Sequence, residues 1–192
     1  MTTFYLVRHG QTEWNALGRI QGRSDIPLNE VGRAQAQEAA EALEMSGLQA
    51  IYSSPLSRAL DTASIMAAHL GLPDPVLLDG VIERDYGIAE GLDHAGIQAT
   101  FPDGKLRGRE NRREVADRAI EALRSIDGDF DDVAVVCHGG VIGSLVRVAT
   151  DYALPLPGDV IANGSFHVFD FARDRLRLIE FNGRPVLESQ RP

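Results

Sequence analysis

The sequence predicts an α/β fold of three layers, with helices on both faces of a mostly parallel central sheet. Three observations predict it. First, short continuous apolar runs, FYLV (4–7), AIY (50–52) and VAVVC (133–137), suit central strands covered on both faces. Second, segments with helical apolar spacing lie between these runs. Third, strand and helix patterns alternate, which favours parallel pairing through helical crossovers. The chain has 192 residues, 44% of them hydrophobic, which suits a single domain over 1–192. A chain of this length buries about 70% of its unfolded surface.

The elements follow in order. FYLV opens the sheet. Ala36, Ala39, Ala40 and Leu43 share one helical face, in a segment that Asn29 can cap. AIY is the second strand. Leu56, Ala59, Leu60, Ala63, Ala67 and Leu70 form the next stripe, which Gly71 and Pro73 stop. Residues 81–111 carry the weakest pattern and five glycines, and read as a short lid-like excursion over the sheet edge. Val115, Ala119, Ala122, Leu123 and Ile126 predict a third helix, VAVVC a third strand, and Ile142, Leu145, Val146 and Ala149 a fourth helix. Residues 165–171 and 175–181 read as a hairpin with Arg173-Asp174 at its turn.

Charge and composition narrow the function. Lys and Arg number 19 against 28 Asp and Glu, a net charge of −9. This argues against general binding of nucleic acid or an anionic membrane. Any positive site must therefore be gathered locally. The single cysteine, Cys137, allows no intramolecular disulfide and fits a reducing compartment. The start MTTFYLV lacks a basic n-region, and no run approaches the roughly 20 apolar residues of a membrane span. The expectation is a cytoplasmic protein.

In a doubly wound sheet, ligands sit beyond the carboxyl ends of the strands. The residues at those ends are polar. Arg8 and His9 follow the first strand. Ser53, Ser54 and then Arg58 follow the second. His138 follows the third, ahead of Gly139-Gly140. Two guanidiniums and two imidazoles converging on one point would make a phosphoryl-binding pocket, because the guanidinium fork matches phosphate oxygens. Backbone N–H groups near Ser54–Leu56 and at Gly139 are expected to add donors. An unprotonated imidazole nitrogen can attack phosphorus. Glu83 is the candidate proton donor, with Asp85 and Glu90 as competitors.

Each residue alone has a plainer reading: a hydrogen-bonded strand-end histidine, a surface arginine, a solvated glutamate. Their equivalent placement on three strands favours the site. Other chemistries lack their marks. A cysteine-phosphatase loop needs an arginine six residues after Cys137, where Gly143 stands. GGVIGS (139–144) lacks the P-loop lysine, and Arg8-His9-Gly10 stands where a dinucleotide-binding glycine motif would begin. His69, His94 and His167 show no metal-ligand spacing. No metal and no cofactor are expected.

These blocks resemble the histidine phosphatase superfamily, the phosphoglycerate mutase-like family. LVRHGQTEWN (6–15) resembles its signature, and GRIQGRSDIPLNEVGRAQA (18–36) the segment after it. IYSSPLSRALDTA (51–63), ERDYGIAEG (83–91) and VVCHGGVI (135–142) resemble its later blocks, in family order. The resemblance implies that His9 is the phosphorylated nucleophile. It implies that Arg8, Arg58 and His138 hold the phosphoryl oxygens, and that Glu83 is the proton donor. Asn15, Gln21 and Gly22 match positions that touch phosphate or substrate. Ala89 stands where the family often has Trp, and the segment after Gly91 is short beside that of the family's glycolytic mutases. A short lid admits water, so the resemblance implies a metal-independent phosphatase acting on a small phosphorylated metabolite. A phosphoglycerate mutase-type phosphotransferase and a non-catalytic phospho-ligand binder are the alternatives. A homodimer is one expectation for assembly, with the tail RPVLESQRP (184–192) free to lie on a neighbour.

DGKLRGRENRR (103–113) holds five basic residues, Lys105, Arg107, Arg109, Arg112 and Arg113. Two readings stay open at this point. One is a basic rim that attracts a second anionic group, which would favour bisphosphates or phosphorylated acids. The other is a solvated helix start.

Overall fold

The computed structural model describes residues 2–172 and 175–186. Strand β1 (Thr3–Arg8) leads to a short helix α1 (Glu13–Ala16) and to α2 (Glu30–Ala42). Then come β2 (Ala50–Ser53), α3 (Ser57–Leu70), β3 (Val76–Leu77), α4 (His94–Thr100) and α5 (Arg112–Arg124). The chain continues through β4 (Asp132–Cys137), α6 (Gly139–Ala149), β5 (Phe166–Ala172), β6 (Arg175–Phe181) and β7 (Arg184–Pro185). The strands form one sheet in the order β3-β2-β4-β1-β5-β6-β7. The β3, β2, β4 and β1 strands run parallel, and β5, β6 and β7 add antiparallel partners on one side.

Alternate side chains of the central strands feed two cores. Leu6, Val133 and Val135 face Val115, Ile142 and Leu145 of α5 and α6. Val7, Ala134 and Val136 face Ala39, Ala63 and Met66 of α2 and α3. Each such large side chain contributes about 1.5–3 kcal/mol when fully buried. Layers on both faces explain why these strands read as unbroken apolar runs.

The α2, α3, α5 and α6 helices lie where the apolar stripes place them. Asn29 caps α2 by accepting from the Gly32 N–H at 2.9 Å, and Gly71 ends α3 in the left-handed region. The excursion at 81–111 contains more structure than its pattern implies. It holds α4, capped by Asp93 through the Gly96 N–H, and this helix buries no residue. Without a buried stripe, periodicity had nothing to mark. The expected turn at Arg173-Asp174 and residues 187–192 of the tail lie outside the described residues. No helix among the described residues is long and apolar enough to cross a membrane.

Register positions the site. The parallel β1·β4 pairing sets Arg8 opposite Cys137, and β2·β4 sets Ser53 opposite Val136. The next residues of these three strands, His9, His138 and Ser54, therefore leave the sheet side by side.

Candidate active site

The His9 and His138 rings lie with centroids 5.2 Å apart, and both side chains are buried. His9 Nδ1 is 2.6 Å from the Gly10 carbonyl oxygen. A carbonyl only accepts, so Nδ1 carries the proton. Nε2 is left bare, and it accepts from Arg58 Nε at 3.2 Å. Burial, reinforced by the Arg58 and Arg8 charges, holds the His9 pKa well below 6.5. The ring is thus neutral with its lone pair on Nε2. The strand end that carries it is held by two contacts: the Gly10 N–H donates to Thr62 Oγ1 at 3.0 Å, and Asn163 Nδ2 donates to the His9 carbonyl at 2.9 Å. Gly10 also crosses α2 closely, since a Cβ there would lie 2.1 Å from the Gly32 oxygen.

His138 is fully buried, with Nε2 2.8 Å from Ser54 Oγ. Burial and the Arg58 charge push its pKa well below 6.5. Arg58, also fully buried, is aimed by two backbone carbonyls, of Ser24 and Gly22, each at 2.8 Å. Arg8 donates to the Ile161 carbonyl at 2.6 Å. Two buried side-chain nitrogens here, Arg8 Nε and His138 Nδ1, have no hydrogen-bond partner among the described residues. Native structures rarely leave such groups unsatisfied, so an oxygen-rich ligand fits this spot.

Glu83 lies against the start of α6. Its Oε1 accepts from the Arg84 N–H at 2.7 Å and its Oε2 from the Gly140 N–H at 3.1 Å. Burial raises its pKa, against the pull of those two N–H groups and of the Arg58 and Arg8 charges. The competitors are committed elsewhere. Glu90 binds the Arg23 and Ser24 N–H groups and the Ser24 hydroxyl, and these bonds lower its pKa despite partial burial. Asp85 accepts from the Gly87 N–H at 2.7 Å.

The profile of the histidine phosphatase superfamily (branch 1) matches residues 4–184. The chain belongs to the histidine phosphatase superfamily. It is 34% identical over 184 residues to the uncharacterised phosphatase PhoE of Bacillus subtilis, covering 95% of each chain. It superposes on YhfR of Bacillus stearothermophilus with a TM-score of 0.84 at 29% identity, covering 97% of this chain and 98% of the other. It matches a mycobacterial glucosyl-3-phosphoglycerate phosphatase in complex with VO3 at a TM-score of 0.81 and 32% identity, covering 95% and 99%.

In this histidine phosphatase His9, Arg8, Arg58 and Glu83 line a cleft of about 600 Å³, whose wall also includes Asn15, Gln21, Gly22 and Gly139, while His138 is buried behind that wall beside His9. Several expectations change in detail. Asn15 and Gln21 turn polar atoms towards Thr12, whose hydroxyl lies 3.2 Å from Asn15 Oδ1 and 2.9 Å from Gln21 Oε1. The amides at the start of α3 are already engaged. Ser54 N–H pairs with Val136, and Ser57 N–H with Asp25. The Gly140 amide, beside Gly139, serves Glu83. Of the basic stretch, only Arg109 and Arg112 reach the cleft, while Arg107 and Arg113 pair with Asp103 and Asp117 outside it. Ser54 and Asn163 support the histidines, and Arg19, Arg84 and Arg147 join the wall. Sequence spacing singled out neither Asn163 nor these arginines, because each arrives from a distant segment. Among the described residues, no group of three or more His, Cys, Asp or Glu side chains is arranged to hold a metal ion.

Proposed function

We propose that this chain hydrolyses small phosphate monoesters without a metal, through a phosphohistidine on His9. The observation that carries this reading is the His9 tautomer, neutral and with a bare Nε2 directed at Arg58. The ester's phosphoryl group enters beside Nε2. Arg8 Nε and His138 Nδ1 donate to its oxygens, and Arg58 turns its Nε from His9 to the phosphoryl group. His9 Nε2 attacks phosphorus in line as the P–O bond to the leaving group breaks. Fixed positive charge stabilises the equatorial oxygens. Glu83, whose pKa burial raises, gives its proton in the acid form to the leaving oxygen. The resulting carboxylate takes a proton from water, whose oxygen attacks the phosphohistidine and releases inorganic phosphate. Asn15, Gln21, Gly22 and Gly139 line the entry.

The test is phosphate release from a panel of monoesters in EDTA. Wild type should release phosphate with no bisphosphate primer. His9→Ala should bind the same esters without turning them over. A primer requirement would instead identify a mutase. Near-wild-type turnover by His9→Ala would remove the nucleophile assignment.

A further inference from the structure

Arg58 is fully buried, yet it forms no ion pair among the described residues. Its terminal nitrogens donate instead to the Ser24 and Gly22 carbonyls, each at 2.8 Å, and Nε is thereby left for His9 Nε2 at 3.2 Å. The direction of Nε therefore depends on where residues 22–24 stand. These residues belong to no helix or strand, so regular backbone pairing does not fix them.

The Glu90 carboxylate does. Its Oε1 accepts from the Arg23 N–H at 2.9 Å and the Tyr86 N–H at 3.3 Å. Its Oε2 accepts from the Ser24 N–H at 3.0 Å and the Ser24 hydroxyl at 2.7 Å. The Arg23 N–H and the Gly22 carbonyl belong to one planar peptide unit. Glu90 thus grips one edge of the plane whose other edge holds Arg58. A carboxylate on one side and a guanidinium on the other polarise that peptide and strengthen both bonds. The seat depends on glycine: Gly22 has a φ of 54°, and a Cβ there would lie 1.9 Å from Glu90 Oε1 and 2.4 Å from its Cδ. The far end of the turn is fastened as well. Asp25 Oδ1 accepts from the N–H and the hydroxyl of Ser57, the residue before Arg58, at 2.9 and 2.8 Å. Burial lowers the Arg58 pKa, and the Glu83, Asp25 and Glu90 charges oppose that fall.

We propose that Glu90 is a positioning residue, whose carboxylate acts through Ser24 and the peptide joining Gly22 and Arg23 to hold Arg58 in the direction that serves the phosphoryl group. This rests on the phosphatase reading above for what Arg58 does there, and gives the second glutamate of the 83–91 block a role distinct from that of Glu83.

Calorimetric binding of inorganic phosphate tests it without turnover. Glu90→Gln turns an amide NH2 towards one pair of donors, and should weaken phosphate binding roughly 10- to 100-fold, the scale of one charge-assisted contact. Ser24→Ala removes one of the four bonds and should weaken binding about 3- to 10-fold. In an Arg58→Lys background, which keeps the charge but has no Nε to aim, Glu90→Gln should change binding less than about 2-fold. In turnover, Glu90→Gln should lower kcat/KM equally for aryl and alkyl phosphates, because both need Arg58. Selective loss on alkyl esters would make Glu90 a proton donor and overturn the proposal. So would full additivity with Arg58→Lys, or unchanged phosphate affinity in Ser24→Ala, which decides alone should thermal melting show Glu90→Gln unfolded. Phosphate binding with these dependences but no ester turnover by wild type would sink the phosphatase reading and leave the role of Glu90 standing; no phosphate binding by wild type removes both.

Discussion

Gly140→Ala tests the placement of Glu83 without altering any charged group. A Cβ at position 140 would sit 2.3 Å from Glu83 Oε1 and 3.1 Å from its Cδ. Van der Waals contact requires about 1 Å more, so the carboxyl must retreat and loosen its 3.1 Å bond from the Gly140 N–H. Backing away is obstructed, since the new methyl also meets Arg84 Cβ at 3.2 Å. A misplacement of about 1 Å typically costs about 100-fold, or about 2.7 kcal/mol of barrier. The loss should fall on substrates that need protonation. For alkyl phosphates, kcat/KM should drop about 100-fold; for aryl phosphates with acidic leaving groups, less than about 5-fold. Steady-state kinetics across a series of leaving-group pKa values measures this as a steeper dependence. Helix propensity favours Ala over Gly by up to about 1 kcal/mol, so thermal melting should show a folded variant. Equal losses on both substrate classes, or none on alkyl esters, would refute the assignment of Glu83 as the acid held by Gly140.

Other consequences follow from the same geometry. The raised Glu83 pKa keeps the acid form populated above its usual 4.5, and activity should fall as pH rises through that raised value. Wild type should show this alkaline limb in a kcat/KM profile on an alkyl phosphate and little of it on an aryl phosphate; an equal limb on both would assign it to another group. Thr62→Val strands the buried Gly10 N–H and should destabilise the fold by about 1–3 kcal/mol in urea titrations, with reduced turnover as His9 loosens. His167 is buried, accepts the Asn182 N–H on Nδ1, and has its pKa lowered by burial from 6.5 to about 4. Its contribution to stability is therefore complete above pH 6.5 and lost as pH falls towards about 4, a loss of about 3 kcal/mol. His167→Gln should flatten the stability curve in that window, as measured by denaturation at pH 7 and pH 4.5.

Much of the site was legible because its chemistry is written locally. The histidines and Arg8 stand where apolar runs end, and a parallel sheet brings such ends to one edge whatever the finer register. The helices carrying Arg58 and the His138 glycines declared themselves through buried stripes. The α4 helix did not, because it buries nothing. Glu83 could be ranked ahead of Asp85 and Glu90 only by resemblance. Packing supplies the physical distinction: Glu83 is buried and faces the Gly140 amide, while Glu90 is drawn off by the Arg23 and Ser24 amides.

By itself, then, the sequence determined the layered fold, the strand-end constellation and the need to gather positive charge. Only the tertiary structure decided the His9 tautomer, which depends on a carbonyl and a guanidinium from two segments. It also decided which arginines line the cleft. Arg84, Arg112 and Arg147 share no spacing, and Arg113 points away to Asp117 although it adjoins Arg112. Side-chain direction depends on helix phase and on contacts between segments far apart in the chain, and neither is encoded in any short window of residues.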